Sequence, residues 1–181
     1  MDYINGLRVE PISRTHKRKT FRCGKPPLDD YLHRYARQND EKNISKTFLA
    51  VNDENKVLGY YSLCTASIEF EELPEAIRKQ LPNYPVPAAL IARLAVDESL
   101  RGQGLGAKLL INALQRILTA SNEIAIKAVL VDAMEKVRLK NREAGLGHDE
   151  AFEFYRHFEF IELPDQELKL FLPIETVQQL F

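Results

Sequence analysis

Apolar positions recur along this chain in two rhythms, period two and a helical period, and their succession predicts a mixed α and β protein. Leu7 to Ile12 can form a short first strand, and the polar, basic stretch Ser13 to Pro27 reads as a loop. From Leu28, the residues Leu28, Tyr31, Leu32, Tyr35 and Ala36 fall at helical spacing behind Pro26 and Pro27, which suit a helix entrance. Lys46 to Val51 and Val57 to Ile68 are rich in β-branched and aromatic residues, with Asp53, Glu54 and Asn55 between them as the turn of an antiparallel hairpin. A polar helix over Pro74 to Gln80 follows, then a proline-rich connection from Pro82 to Pro87.

Ala88 to Val96 is almost wholly apolar, the pattern of a strand covered on both faces at a sheet centre. Leu105, Leu109, Leu110, Ala113, Leu114 and Ile117 then line one face of a long helix. Lys127 to Asp132 predicts a buried strand and Glu150 to Phe158 a short helix. Phe160 to Leu163 and Leu168 to Leu172 predict the last strands, before a final helix from Ile174. No repeat, low-complexity segment or linker interrupts this order, so the 181 residues are read as a single domain, 1–181.

Composition narrows the class without naming a function. Hydrophobic residues at 45% and charged residues at 28% exclude a disordered chain. No apolar run reaches the roughly 18–20 residues of a membrane span, and the start Met-Asp-Tyr-Ile-Asn lacks a signal-peptide pattern, so a cytoplasmic protein with no membrane contact is expected. Cys23 and Cys64 show neither a metal-ligand spacing nor a disulfide framework and are read as packing residues; no metal is expected. The net charge of −1 argues against nonspecific binding to nucleic acid. Yet the charge is uneven, with Arg14, Lys17, Arg18, Lys19, Arg22 and Lys25 close together near the start and an acidic tail from Asp149. That asymmetry fits a basic patch for a polyanion, and equally two solvated faces of one domain.

The chemistry concentrates in L-A-V-D-E-S-L-R-G-Q-G-L-G-A-K-L, Leu94 to Leu109. Here a strand gives way through a glycine-rich turn to a helix, where glycines permit positive φ and unpaired helix N–H groups can meet a phosphate. A Walker A loop requires a glycine before its lysine and a hydroxyl residue after it, but Ala107, Lys108 and Leu109 stand there. A dinucleotide fingerprint fails as well, because its third glycine falls on Leu109.

The run R-G-Q-G-L-G from Arg101 does match the R/Q-x-x-G-x-G/A pattern of the GNAT N-acetyltransferases, and F-Y-R-H-F from Phe154 resembles their C-terminal aromatic motif. The resemblance implies a GNAT fold: a central, twisted, mostly antiparallel sheet of six to seven strands, flanked by helices and splayed at the central strand. It implies acetyl-CoA as cosubstrate, its pyrophosphate on the turn formed by Arg101, Gly102, Gln103, Gly104, Leu105, Gly106 and Ala107. The pantetheine arm would run beside Leu94, Ala95 and Val96, where the N–H of Leu94 or Val96 can polarise the acetyl carbonyl. Tyr155 would be the general acid at the coenzyme sulfur, while Phe152, Phe154 and Phe158 are core residues. The helix holding Tyr155 ends in Glu159, where the family often has glycine.

Three further stretches, F-R-C-G-K-P-P-L-D-D-Y-L from Phe21, G-Y-Y-S-L from Gly59 and P-V-P-A-A-L-I-A-R-L-A-V from Pro85, resemble the acetyltransferase toxins of bacterial toxin-antitoxin modules. That resemblance implies acetylation of the α-amine of aminoacyl-tRNA, arrest of translation and inhibition by a ribbon-helix-helix antitoxin. The absence of a glutamate from Ala88 to Val96 is consistent with it, because an α-amine with a pKa of about 7.7–8.0 is partly neutral without a strong base. Arg93, the one charge on that strand, suits a grip on RNA or substrate and equally a structural ion pair. Met134 to His148, longer than in compact relatives, fits a cover for the acceptor site, a partner contact or a solvated insertion. Exposed Leu180 and Phe181 fit a homodimer contact or docking of the tail. Acetylation of a small amine or protein N-terminus, and a non-catalytic acyl-CoA-binding regulator, are the other functions compatible with these residues.

Overall fold

The hairpin expected around Asp53, Glu54 and Asn55 is built residue for residue in the computed structural model, which describes residues 2–4, 6–133, 150–164, 166 and 168–181. Strands β3 (Lys46–Val51) and β4 (Val57–Ile68) run antiparallel, with Leu49 opposite Tyr60 and Thr47 opposite Ser62. The Asn52 carboxamide oxygen accepts the amides of Glu54 and Lys56 at 3.1 and 2.9 Å, and Asn55 takes a left-handed φ of 59°. Asparagine tolerates that conformation better than most residues, so the turn is encoded locally.

The described residues gather into two compact units, Met1–Thr65 with Ile91–Ile117 and Ala66–Leu90 with Leu118–Phe181. In the first, the strand order is β1 (Asp2–Ile4), β2 (Leu7–Pro11), β3, β4 and the later part of β5 (Val86–Val96). β1 is an element that the sequence pattern does not reveal; it pairs antiparallel with β2, Tyr3 opposite Arg8. With it the described strands reach eight, where six or seven are expected.

The first-unit core includes Phe21, Leu32, Leu49, Tyr60 and Ala95. One wall of it is helical: α1 (Pro26–Asp30) opens on its two prolines, continues through a π-helical turn (Tyr31–Tyr35) and ends as α2 (Ala36–Glu41). The expected apolar stripe thus exists, although a π turn shifts its register and leaves Tyr35 52% exposed. A 3-10 turn (Glu98–Leu100) follows β5 and leads towards the long helix α4 (Leu105–Ser121). The six apolar residues expected to face inward on α4 are all buried.

The second unit contains α3 (Glu75–Arg78), shorter than the predicted helix because its amide bonds to Pro74 and Glu75 carry it through only one turn. Its strand order is the early part of β5, β6 (Ala128–Asp132), β8 (Lys169–Pro173) and β7 (Ile161–Glu162). β8 pairs antiparallel with both neighbours, Phe171 lying opposite Leu130 and Ile161. Ile68, Leu73, Val86, Ala88, Leu130, Leu163 and Phe171 form its core. Helices α5 (Glu150–His157) and α6 (Ile174–Gln179) complete it.

The expectation of a β5 covered on both faces is only partly met. Ala88, Ala89, Ile91 and Ala95 are buried, but Leu90, Leu94 and Val96 are half-buried, as are Ala92 and Arg93. Apolar character here accompanies partial access, which a strand beside a bound ligand requires.

Candidate functional site

At the end of β5, Asp97 turns the chain towards α4. Its carboxylate accepts the Ser99 amide at 3.1 Å and the Ser99 hydroxyl at 2.6 Å, while its carbonyl accepts the Leu100 amide at 2.9 Å. Beyond this 3-10 turn, Gly102 and Gly104 have φ of +70° and +76°, and a Cβ on either would meet nothing within 4 Å. Conformation, rather than crowding, therefore demands glycine at these two positions, and the space above both is open. The first amide bonded back to the turn is that of Lys108, on the Gly104 carbonyl at 3.3 Å. The Leu105, Gly106 and Ala107 amides precede it, with the positive end of the helix dipole behind them.

That geometry fits a diphosphate, an anion that backbone donors at a helix N-terminus bind well. Leu105 contributes only backbone to such a site, since its side chain is in the core. The Arg101 guanidinium donates to the Cys23 carbonyl, and the Gln103 carboxamide to the Ser99 carbonyl at 3.3 Å. The third glycine, Gly106, lies within α4 with no positive φ.

On β5, alternation puts Leu94 and Val96 on one face and Arg93 and Ala95 on the other. The Arg93 guanidinium lies 3.7 Å from the centroid of the Tyr31 ring. Tyr31 is itself braced, by a 2.9 Å hydrogen bond between its hydroxyl and Ser45 and by the Tyr60 ring stacked 6.3 Å away. Burial pushes the Tyr31 phenol up, but hydrogen bonding with Ser45, Ser62 and Thr47 and the Arg93 charge outweigh it, leaving the pKa below the ordinary tyrosine value. Arg93 therefore has an aromatic seat. Helical spacing marks Tyr31 only as a core position, and nothing in the sequence ties it to Arg93.

Tyr155 belongs to the second unit. It is buried on α5, its ring 5.2 Å from Phe154 and 5.4 Å from Phe160. Burial pushes its phenol pKa well above the ordinary tyrosine value, so the hydroxyl keeps its proton. Phe152 is buried as expected, whereas Phe154 and Phe158 are half-buried. Glu159 adopts a left-handed φ of 64°, so the helix end keeps the geometry for which glycine is best suited. The stretch Met134 to His148 lies outside the described residues.

The cysteines do not form a pair of nucleophiles. Burial, followed by a hydrogen bond with Asp29, pushes the Cys23 thiol up to about 12, and burial also raises that of half-buried Cys64. Among the described residues, no three of His, Cys, Asp and Glu are grouped as metal ligands.

Comparison with known proteins gives this geometry a context. The family model described as an acetyltransferase (GNAT) domain matches residues 44–162. A tRNA-acetylating toxin of Mycobacterium tuberculosis (strain ATCC 25618 / H37Rv) is 36% identical over 161 residues, spanning 89% of this chain and 88% of its own. The solved structure of AtaT complexed with acetyl-methionyl-tRNAfMet has a TM-score of 0.84 and 28% identity, with 97% of this chain and 99% of that one covered. A mutant of AtaT bound to acetyl-CoA and the C-terminus of the antitoxin AtaR has a TM-score of 0.77 and 25% identity, with 98% and 99% covered.

Proposed function

The chain belongs to the GNAT acetyltransferase family, and from that premise we propose that it acetylates the α-amine of aminoacyl-tRNA and so arrests translation. The observation that carries the choice of acceptor is the 36% identity with a tRNA-acetylating toxin across 89% of the chain. The cosubstrate is acetyl-CoA, which supplies an acyl carbonyl already activated by a good leaving group.

Gly102 to Ala107 hold its pyrophosphate through backbone amides, with Arg101 opening the turn, and the backbone of Leu94, Ala95 and Val96 aligns the thioester. Tyr155 gives its proton to the departing sulfur, a role suited to a phenol that burial keeps protonated. No carboxylate stands on β5 to act as base. A strong base is unnecessary for an α-amine, whose pKa of about 7.7–8.0 leaves a neutral fraction ready to attack. Arg93, seated on Tyr31, binds an anionic or carbonyl group of the acceptor.

The toxin acts in the cytoplasm, forms a homodimer and is neutralised by a ribbon-helix-helix antitoxin. Support for the antitoxin comes from the similar AtaT, solved with the C-terminus of AtaR. Among the described residues, no helix is long and apolar enough to cross a membrane. Incubation with labelled acetyl-CoA and charged tRNA, beside a panel of polyamines and peptide N-termini, tests the acceptor. Label on the aminoacyl group is expected; label on polyamine or peptide alone would overturn the tRNA reading.

A further inference from the structure

The glycine turn is held in place by a strip of chain from far upstream. The Arg22 amide donates to one oxygen of the Asp97 carboxylate at 3.0 Å, and the Arg22 carbonyl accepts the Glu98 amide at 2.8 Å. One residue further on, the Cys23 carbonyl accepts the Arg101 guanidinium, while the Cys23 amide donates to Asp29, in the first turn of α1, at 2.8 Å. Gly24 fits between these groups. A Cβ there would lie 2.5 Å from the Glu98 carboxylate and 2.9 Å from the Arg101 guanidinium, on a φ of +72°.

Asp97 is the centre of this arrangement. Its carboxylate is buried and collects three donors: the Arg22 amide on one oxygen, and the Ser99 amide and hydroxyl on the other. Burial pushes its pKa up, but hydrogen bonds from Ser99 and Arg22 outweigh this and hold it below the usual carboxylate range. Beyond Ser99, whose carbonyl accepts the Gln103 carboxamide, comes the residue between the two left-handed glycines. Asp97 thus reaches Gly102–Gly104 by two routes, through Ser99 to Gln103 and through Arg22–Cys23 to Arg101.

We propose that Asp97 is a positioning residue for the coenzyme pyrophosphate, fixing the glycine turn against the Phe21–Gly24 strip so that its amides are organised before the ligand arrives. This rests on the acyl-CoA reading of the turn. Binding a diphosphate to flexible amides would cost ordering entropy on each encounter, and prior organisation removes that cost. Removing the Asp97 carboxylate takes the acceptor from three donors and loosens both routes to the turn. Truncating the side chain therefore weakens binding of the pyrophosphate without touching the pantetheine end.

Titration calorimetry on the full chain, with coenzyme A and separately with acetyl-pantetheine, tests this. For Asp97→Ala the Kd for coenzyme A rises about tenfold, the scale of one or two charge-assisted hydrogen bonds, with the Kd for acetyl-pantetheine unchanged. Asp97→Asn, which keeps one acceptor oxygen, gives a smaller rise, and Gly24→Ala weakens coenzyme A from the other side of the contact. Unchanged affinity in Asp97→Ala, or equal loss of both ligands, overturns the proposal. Should Asp97→Ala fail to fold, Ser99→Ala removes one hydroxyl donor and carries the test, an unchanged Kd again overturning it. Wild-type chain that binds no coenzyme A would refute the acyl-CoA reading, and this proposal with it.

Discussion

Phe160 is joined to Tyr155 twice: its amide donates to the Tyr155 carbonyl at 3.3 Å, and its ring stands 5.4 Å from the tyrosine ring. With the Glu159 amide on the Arg156 carbonyl at 3.0 Å, this is the six-to-one and five-to-two pairing of a Schellman helix end, accompanied by its usual apolar contact. Tyr155 is therefore positioned by the way its helix stops. The residue that allows the stop, Glu159, pays a conformational cost for it.

Glu159→Gly removes that cost. The substitution is expected to stabilise the protein by up to about 1 kcal/mol, or about 2–4 °C in Tm for a chain of this size. Tyr155 stays in place, so kcat is unchanged. Thermal unfolding of the two proteins checks it, and a fall in Tm would show that the Glu159 side chain makes a contribution larger than the backbone strain.

Tyr155→Phe preserves the packing against Phe154 and Phe160 but removes the proton. A drop of about 10²-fold or more in kcat is expected, with little change in the affinity for acetyl-CoA or in Tm. The sign of the pKa shift adds a second measurement. Burial favours the neutral phenol, so the acid remains competent as pH rises to the ordinary tyrosine value of about 10. A pH–rate profile falling well below that value in wild type, and flat in the variant, would assign the fall to Tyr155 and contradict its burial.

Local rules explain what could be read in advance. β3 and β4 match their expected limits because β-branched residues and an asparagine turn lie within a few positions of one another. The glycine turn was legible for the same reason. β1 was not, since three residues are too short to display a period. The π turn at Tyr31–Tyr35 escaped because its apolar spacing resembles that of an ordinary helix. Asp97 and Arg22 lie 75 residues apart, and their contact, like that of Arg93 with Tyr31, arises from tertiary folding.

The two thiols should separate by reactivity. With a pKa pushed up to about 12, Cys23 is ionised in only about one molecule in ten thousand at pH 8, and it is buried as well. Cys64 is half-buried, and the charge of Arg93 opposes the rise in its pKa. A thiol-specific chromogenic reagent on the native protein is expected to release one equivalent slowly, from Cys64, with Cys23 reacting only after denaturation. Early labelling of Cys23, located by peptide mass, would mean that its loop opens in solution.

Arg93 and Tyr31 should behave as one device when the acceptor is varied. Removing a guanidinium that hydrogen-bonds a substrate group costs about 1.5–3 kcal/mol, so Arg93→Ala is expected to lower kcat/KM for the acceptor by about 10- to 100-fold, with KM for acetyl-CoA unchanged. Tyr31→Leu removes the ring beneath Arg93 and lowers acceptor kcat/KM in the same direction. Tyr31→Phe keeps the ring and therefore most of the activity, but loses the hydrogen bond to Ser45, at a cost to stability of about 1 kcal/mol. Steady-state kinetics with acceptor and donor varied in turn separates these outcomes. Full acceptor kcat/KM in Arg93→Ala would end its assignment to the acceptor, and equal losses in Tyr31→Phe and Tyr31→Leu would show that the hydroxyl, rather than the aromatic seat, is what matters.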